Sequence, residues 1–316
     1  MTKRRPPVGL ALLAMLASVP AFAQSPPLSV QEKLGHPRSA RLLVIHADDL
    51  GMAHSVNKAS FAAVESRAVS SASILVPCPW FADVAIWAKG QPSADLGIHL
   101  ALNSEWSTLR WGPLLGAEGV PSLVDAAGFL PLETRAVAER AKAVEAEREL
   151  RAQVAKARAA GLRLSHLDTH MGAVATTPDL LAVYTRLGRE LGLPVLNERQ
   201  AIREQKIDFP DDEILIDRVL GLGTTVAENE WLPAYKKILA PLPPGVYELI
   251  VHLALDDEEM RAATVGHVDF GAAWRQHDFD LVRNPEFRRF LEEQGFVVVS
   301  WTDLARALPK EYASRR

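Results

Sequence analysis

Short apolar runs recur along the chain: Leu42 to Ile45, Ala72 to Val76, Leu96 to Leu100, Leu162 to Leu167, Val195 to Leu196, Tyr247 to Val251 and Phe296 to Val299. Runs without strict alternation suit strands covered on both faces, the situation of a parallel sheet. Between them the apolar spacing predicts helices over Ser55 to Glu65, Thr134 to Ala159, Pro178 to Leu191 and Pro285 to Gln294. Thr177 and Asn284 stand where N-caps ahead of Pro178 and Pro285 belong. Gly161, Gly192 and Gly295 stand where a helix closes on a left-handed residue.

Repeated strand, helix, strand order implies right-handed crossovers, and the simplest α/β architecture for this length is a single-domain, distorted (β/α) barrel of the TIM-barrel kind. Such barrels work at the C-terminal ends of their strands. Asp48 and Asp49 follow the first run, His99 lies at the end of the third, His170 follows the fourth, and His252 follows Glu248 to Val251. Two stretches resist the alternation. Asn103 to Pro131, rich in Gly and Pro with Trp106 and Trp111, reads as an ordered loop beside His99, its tryptophans suited either to sugar-ring stacking or to ordinary packing. Arg199 to Pro244 finds no place in the pattern.

The N-terminus carries Lys3-Arg4-Arg5, an apolar stretch from Val8 to Val19, and Ala21-Phe22-Ala23, the pattern of a cleaved secretory signal over residues 1–23. The expected organisation is therefore a signal over 1–23, a linker over 24–40 and the barrel over 41–316. The protein would be secreted, as a periplasmic protein, without stable membrane insertion. Loss of three basic residues would move the formal charge from −4 to −7, which leaves no electrostatic footprint for nucleic acid. With 48% hydrophobic residues a large core can form, and a lone Cys78 between two prolines excludes an intramolecular disulfide. The expected partner is a small-molecule or oligosaccharide substrate, and the composition leaves room for a homodimer.

Adjacent carboxylates at a strand end, with imidazoles arriving from other strands, suit a hydrolytic metal site. Asp49, His99 and His170 are the candidate ligands, and Asp48 is left to take a proton from water. Mixed Asp and His ligation suits zinc, manganese, cobalt or nickel. His166, Asp168 and His170 are spaced by two and would share a face in an extended chain, with His166 and Asp168 placed to orient His170. His252, outside the metal shell, is placed to protonate a leaving amine. The acidic run Asp256 to Glu259 reads as a helix start. His46, His54 and His166 read first as structural histidines.

Ile45-His46-Ala47-Asp48-Asp49-Leu50-Gly51, Gly97-Ile98-His99-Leu100, His166-Leu167-Asp168-Thr169-His170 and Glu248-Leu249-Ile250-Val251-His252 resemble, in content and order, the motifs of YdjC-like carbohydrate deacetylases, which include chitooligosaccharide and hopanoid-biosynthesis deacetylases. The resemblance spans roughly residues 41 to 301. It implies a distorted barrel, one divalent cation with magnesium added to the candidates, and hydrolysis of an N-acetyl group on an amino sugar. It places the ligands on Asp49, His99 and His170, the base on Asp48 and the acid on His252. The chain departs from the family where His46 replaces a frequent Asn, where Met171-Gly172 follows His170 in place of further histidines, and where Leu253-Ala254 replaces Pro-Gly. Two rival readings are a metal-dependent hydrolase of another amide, ester or phosphate ester, and a barrel that binds carbohydrate without turnover.

Overall fold

In the computed structural model, which describes Met1 and residues 28–204 and 213–313, the first apolar run becomes the central strand of one sheet. The strands are β1 (Arg41–Leu50), β2 (Ser71–Ile74), β3 (Leu96–Leu100), β4 (Leu167–Thr169), β5 (Arg218–Leu220), β6 (Gly245–Val251) and β7 (Phe296–Val298). Their order is β4-β3-β2-β1-β6-β5, all pairings are parallel, and β7 lies against Arg41 to Leu43 of β1. Isolated bridges between Leu167 and Val195 and between Glu198 and Ile216 carry the pairing from β4 round to β5. The sheet thereby curls into a single α/β domain, a distorted (β/α) barrel.

Alternation along β1 divides its side chains between two cores. Leu43, Ile45 and Ala47 meet the surrounding helices. Leu42 and Val44 face into the barrel with Val246, Ile216 and Trp301. His46 and Asp48 continue that inner column upward, so the barrel is apolar at its floor and ionisable towards its rim.

Most predicted elements form. Thr177 and Asn284 cap their helices, accepting from the N–H of Leu180 and of Glu286, and Gly192 closes its helix at φ 70°. The helix predicted over Thr134 to Ala159 is instead two, Thr134–Arg140 and Ala143–Ala159. At the break Ala141 and Lys142 are extended, and the Lys142 N–H goes to Ser122 Oγ (3.0 Å) and not to the helical ladder. The fourth run is paired as a strand only from Leu167, and the unplaced stretch supplies β5 and the helix Trp231–Leu239. A helix over Ala272–Arg283, absent from the sequence reading, packs beside β6.

Residues 2–27, which hold nearly all of the expected signal, lie outside the described residues. Within the expected linker, Val30, Leu34 and Ala40 pack against the barrel floor.

Candidate metal centre

The end of β1 solves the problem of aiming two neighbouring carboxylates at one place. Ala47 pairs with Ala72 but Leu50 pairs with Ile74, so β1 advances three residues while β2 advances two. The extra residue is absorbed as a bulge, with Asp49 in the left-handed region at φ 69°. Asp tolerates this conformation better than most side chains, and the strain is of order 1–3 kcal/mol. Gly51, at φ 94°, completes the bend, and its N–H donates to Asn57 Oδ1 (2.7 Å). A Cβ at Gly51 would sit 3.1 Å from the Leu75 carbonyl oxygen.

Asp49, His99 and His170 converge there. Asp49 Oδ1 lies 3.5 Å from His99 Nε2 and 3.4 Å from His170 Nδ1, and one atom from each residue falls within 4.8 Å of the others. This Oδ1 is buried and accepts no hydrogen bond, whereas Oδ2 accepts from the Arg275 guanidinium at 2.9 Å. Burial pushes the Asp49 carboxyl up, but Arg275 and then His170 outweigh it and hold it well below the usual carboxylate range.

Each imidazole has a carboxylate on its far nitrogen. His99 Nδ1 is 2.8 Å from Asp168 Oδ1, and His170 Nε2 is 2.7 Å from Glu105 Oε2. A proton held on the far side fixes the tautomer and leaves the near nitrogen to face the centre, the arrangement of a ligating histidine. With no cation present, burial lowers the His170 pKa, but Glu105 and Asp49 overcome it and raise the value to about 10. His99 is likewise raised, against burial, chiefly by Asp168. An orphaned carboxylate oxygen between two oriented imidazoles fits a divalent cation, which would replace protons held there otherwise.

Asp48 and His252 flank this trio. Asp48 Oδ2 is 3.6 Å from His99 Nε2 and 3.9 Å from His252 Nε2. Burial pushes the Asp48 carboxyl up to about 6, opposed by His99 and His46. Burial takes His252 down to about 3, so its imidazole is neutral. The backbone N–H of His252 donates to Asp278 Oδ2 (3.0 Å), and the His252 ring meets Phe270 edge-on. A cavity of about 550 Å³ opens onto these groups, lined also by Glu105, Trp106, Phe270 and Arg275.

Some of the sequence expectations hold and others change. Trp106 and Trp111 are only 2% and 3% exposed, so they pack in the core and Trp111 offers no stacking platform. Trp106 reaches the cavity wall from beneath Arg275, whose guanidinium carbon lies 5.4 Å from its ring centre. Asp168 orients His99, not His170, and His166 touches neither: it stacks on Trp301 at 5.0 Å. His54 stacks on Trp80. Asp257 caps a helix, as a helix start requires.

Glu105 and Arg275 escaped the sequence reading. Arg275 had a signal, since it shares a helical stripe with Ala272, Phe279 and Val282, where a buried charge demands a partner. Glu105, in a loop, had none.

A family model described as YdjC-like protein matches residues 42–293. A carbohydrate deacetylase of Thermus thermophilus is 35% identical over 275 residues, covering 85% of this chain and 95% of the relative. One from Brevibacillus brevis is 34% identical over 268 residues, covering 83% and 99%. A crystal structure of an Enterococcus faecalis protein superposes with a TM-score of 0.71 at 24% identity, over 84% of this chain and 99% of the other, which shows the shared fold. The expectation of a secreted, periplasmic protein is corrected. It rested on residues 1–23, almost all outside the described residues, and the family match covers residues 42–293, outside that stretch. Among the described residues no helix is long and apolar enough to cross a membrane.

Proposed function

The chain belongs to the YdjC-like protein family, and from that premise we propose that it is a divalent-metal-dependent deacetylase removing N-acetyl groups from an amino-sugar-containing carbohydrate. The single observation that carries the metal reading is Asp49 Oδ1, buried, accepting no hydrogen bond and facing two imidazoles that are each backed by a carboxylate. Asp49, His99 and His170 would hold a divalent cation, which would supply Lewis acidity towards an amide carbonyl and lower the pKa of water.

The chain's own groups do the rest. Asp48, lifted to about 6, stays largely ionised at neutral pH yet is basic enough to take the proton of attacking water. Amide nitrogen leaves only when protonated, and His252 stands beside Asp48 to deliver that proton. Because burial keeps His252 neutral at rest, it must gain a proton during turnover before it can give one, and Asp48, which takes the proton of water, has its Oδ2 3.9 Å away. Arg275 holds Asp49 in place by occupying its second oxygen.

The test is acetate release from a panel of N-acetylated sugars and oligosaccharides, with divalent cation removed and restored. Asp48→Asn and His252→Ala should each lower kcat by about 10²–10⁴ with the fold intact. Acetate release indifferent to chelation and to both substitutions would refute the proposal.

A further inference from the structure

Beneath the proposed centre lies a group of buried ionisable side chains that the reaction as described leaves unused. His46, fully buried on the inner face of β1, is their hub. Its Nε2 stands 3.1 Å from Asp168 Oδ2 and 3.3 Å from Asp48 Oδ1, and its Nδ1 stands 3.3 Å from Glu248 Oε1. Asp48 and Asp168 turn their other oxygen elsewhere, whereas the second oxygen of Glu248, Oε2, is buried without a hydrogen-bond partner. Asp48 Oδ2 faces His99 and His252, Asp168 Oδ1 receives His99 Nδ1, and Glu248 Oε1 also accepts from Trp301 Nε1 at 3.2 Å. The His46 ring is held edge-on by His166 at 5.0 Å, which itself stacks on Trp301.

We infer that His46 is a positioning residue for the hydrolytic base, tying Asp48, Asp168 and Glu248 together so that Asp48 turns Oδ2 to the site and His99 turns Nε2 to Asp49. The inference rests on the reading of Asp48 as the base. Three carboxylates buried side by side repel one another and cannot all stay ionised without a counter-charge between them. A side chain with two nitrogens on opposite edges of a flat ring meets Asp48 and Asp168 with one and Glu248 with the other. Burial opposes a charge on His46, but Glu248, Asp168 and Asp48 overcome it and lift its pKa to about 9. An amide at this position would be uncharged, and that of Asn would also be shorter. Through Asp168 the same ring reaches a proposed metal ligand, so one side chain sets the base and His99 in register.

The experiment compares His46→Leu, which fills the space without a donor, with His46→Gln, whose amide N–H replaces one nitrogen, and with Asp48→Asn run in parallel. Each variant is checked by thermal melt and by elemental analysis for metal per chain. His46→Leu should lower kcat on an N-acetylated oligosaccharide about 10–100-fold, the range for residues that orient a metal site, with KM and one metal per chain retained. His46→Gln, which restores one donor but no charge, should recover only part of that loss. If His46→Leu fails to fold, His46→Asn substitutes: its shorter amide spans one carboxylate only, and kcat should fall with KM unchanged. Unaltered kcat in the folded Leu or Asn variant, beside an inactive Asp48→Asn, overturns the inference alone. Two metals per chain, falling to one in His46→Leu, also overturns it by making His46 a ligand. Full activity in Asp48→Asn overturns the base reading itself, and this inference with it.

Discussion

His99 and Asp168 lie directly opposite each other across the β3–β4 ladder, with Nδ1 2.8 Å from Oδ1, and this contact decides which imidazole nitrogen faces Asp49. A strand register, set by apolar residues around it, thus fixes the tautomer of a proposed ligand. Glu105 does the same for His170 from a loop.

Removing the anchor should loosen the centre without removing a ligand. Asp168→Ala is expected to weaken divalent-cation binding by about 10–100-fold, measured by competition with a chromophoric chelator. Affinity equal to that of the unaltered protein would show that the His99 tautomer needs no such support.

Cation binding should be proton-linked. His170, raised from 6.5 to about 10, carries a proton through the neutral range when no cation is present, and a ligating imidazole cannot keep it on Nδ1. Affinity should therefore fall as pH drops below about 10, by roughly tenfold per unit for each proton displaced. Calorimetry at pH 7 to 8 in buffers of different ionisation enthalpy should register about one proton released. A buffer-independent heat would contradict this.

Arg275 is 1% exposed and pairs with an equally buried Asp49. Arg275→Met leaves that carboxylate uncompensated, at a cost of roughly 3–5 kcal/mol. A bound divalent cation supplies charge to the same carboxylate, so denaturant melts should show the deficit shrinking when cation is added. An equal deficit with and without cation would separate Asp49 from the metal.

Gly97 leaves room for the His166 ring, for a Cβ there would lie 2.3 Å from His166 Cε1. Gly97→Ala forces His166 off Trp301 and away from His46. Overpacking of this kind typically costs about 1–3 kcal/mol, seen as a lower melting temperature, and kcat should fall with it. A variant as stable and active as the original would show the ring free to move.

Much of this was legible along the chain. The β3 run over Leu96 to Leu100 and the helix over Pro178 to Leu191 match their structural bounds, because unbroken apolar runs, N-caps and left-handed glycines act within a few residues. The division of Thr134 to Ala159 was not legible. Nothing near Lys142 announces that its N–H will bond to Ser122, which folds back from an earlier loop.

By itself the amino-acid order determined most of the strands and several of the helices, and that Asp48, Asp49, His99, His170 and His252 fall at or just after the ends of apolar runs. Propensity, period and capping are local properties, so the order of residues carries them. Only the tertiary structure decided the pairings: Arg275 with Asp49 across 226 positions, His170 with Glu105 across 65, and His46 among three carboxylates from three strands. Those partners meet because the sheet curls and closes. The angle and register of that closure come from the packing of the whole core, which no local window of sequence contains.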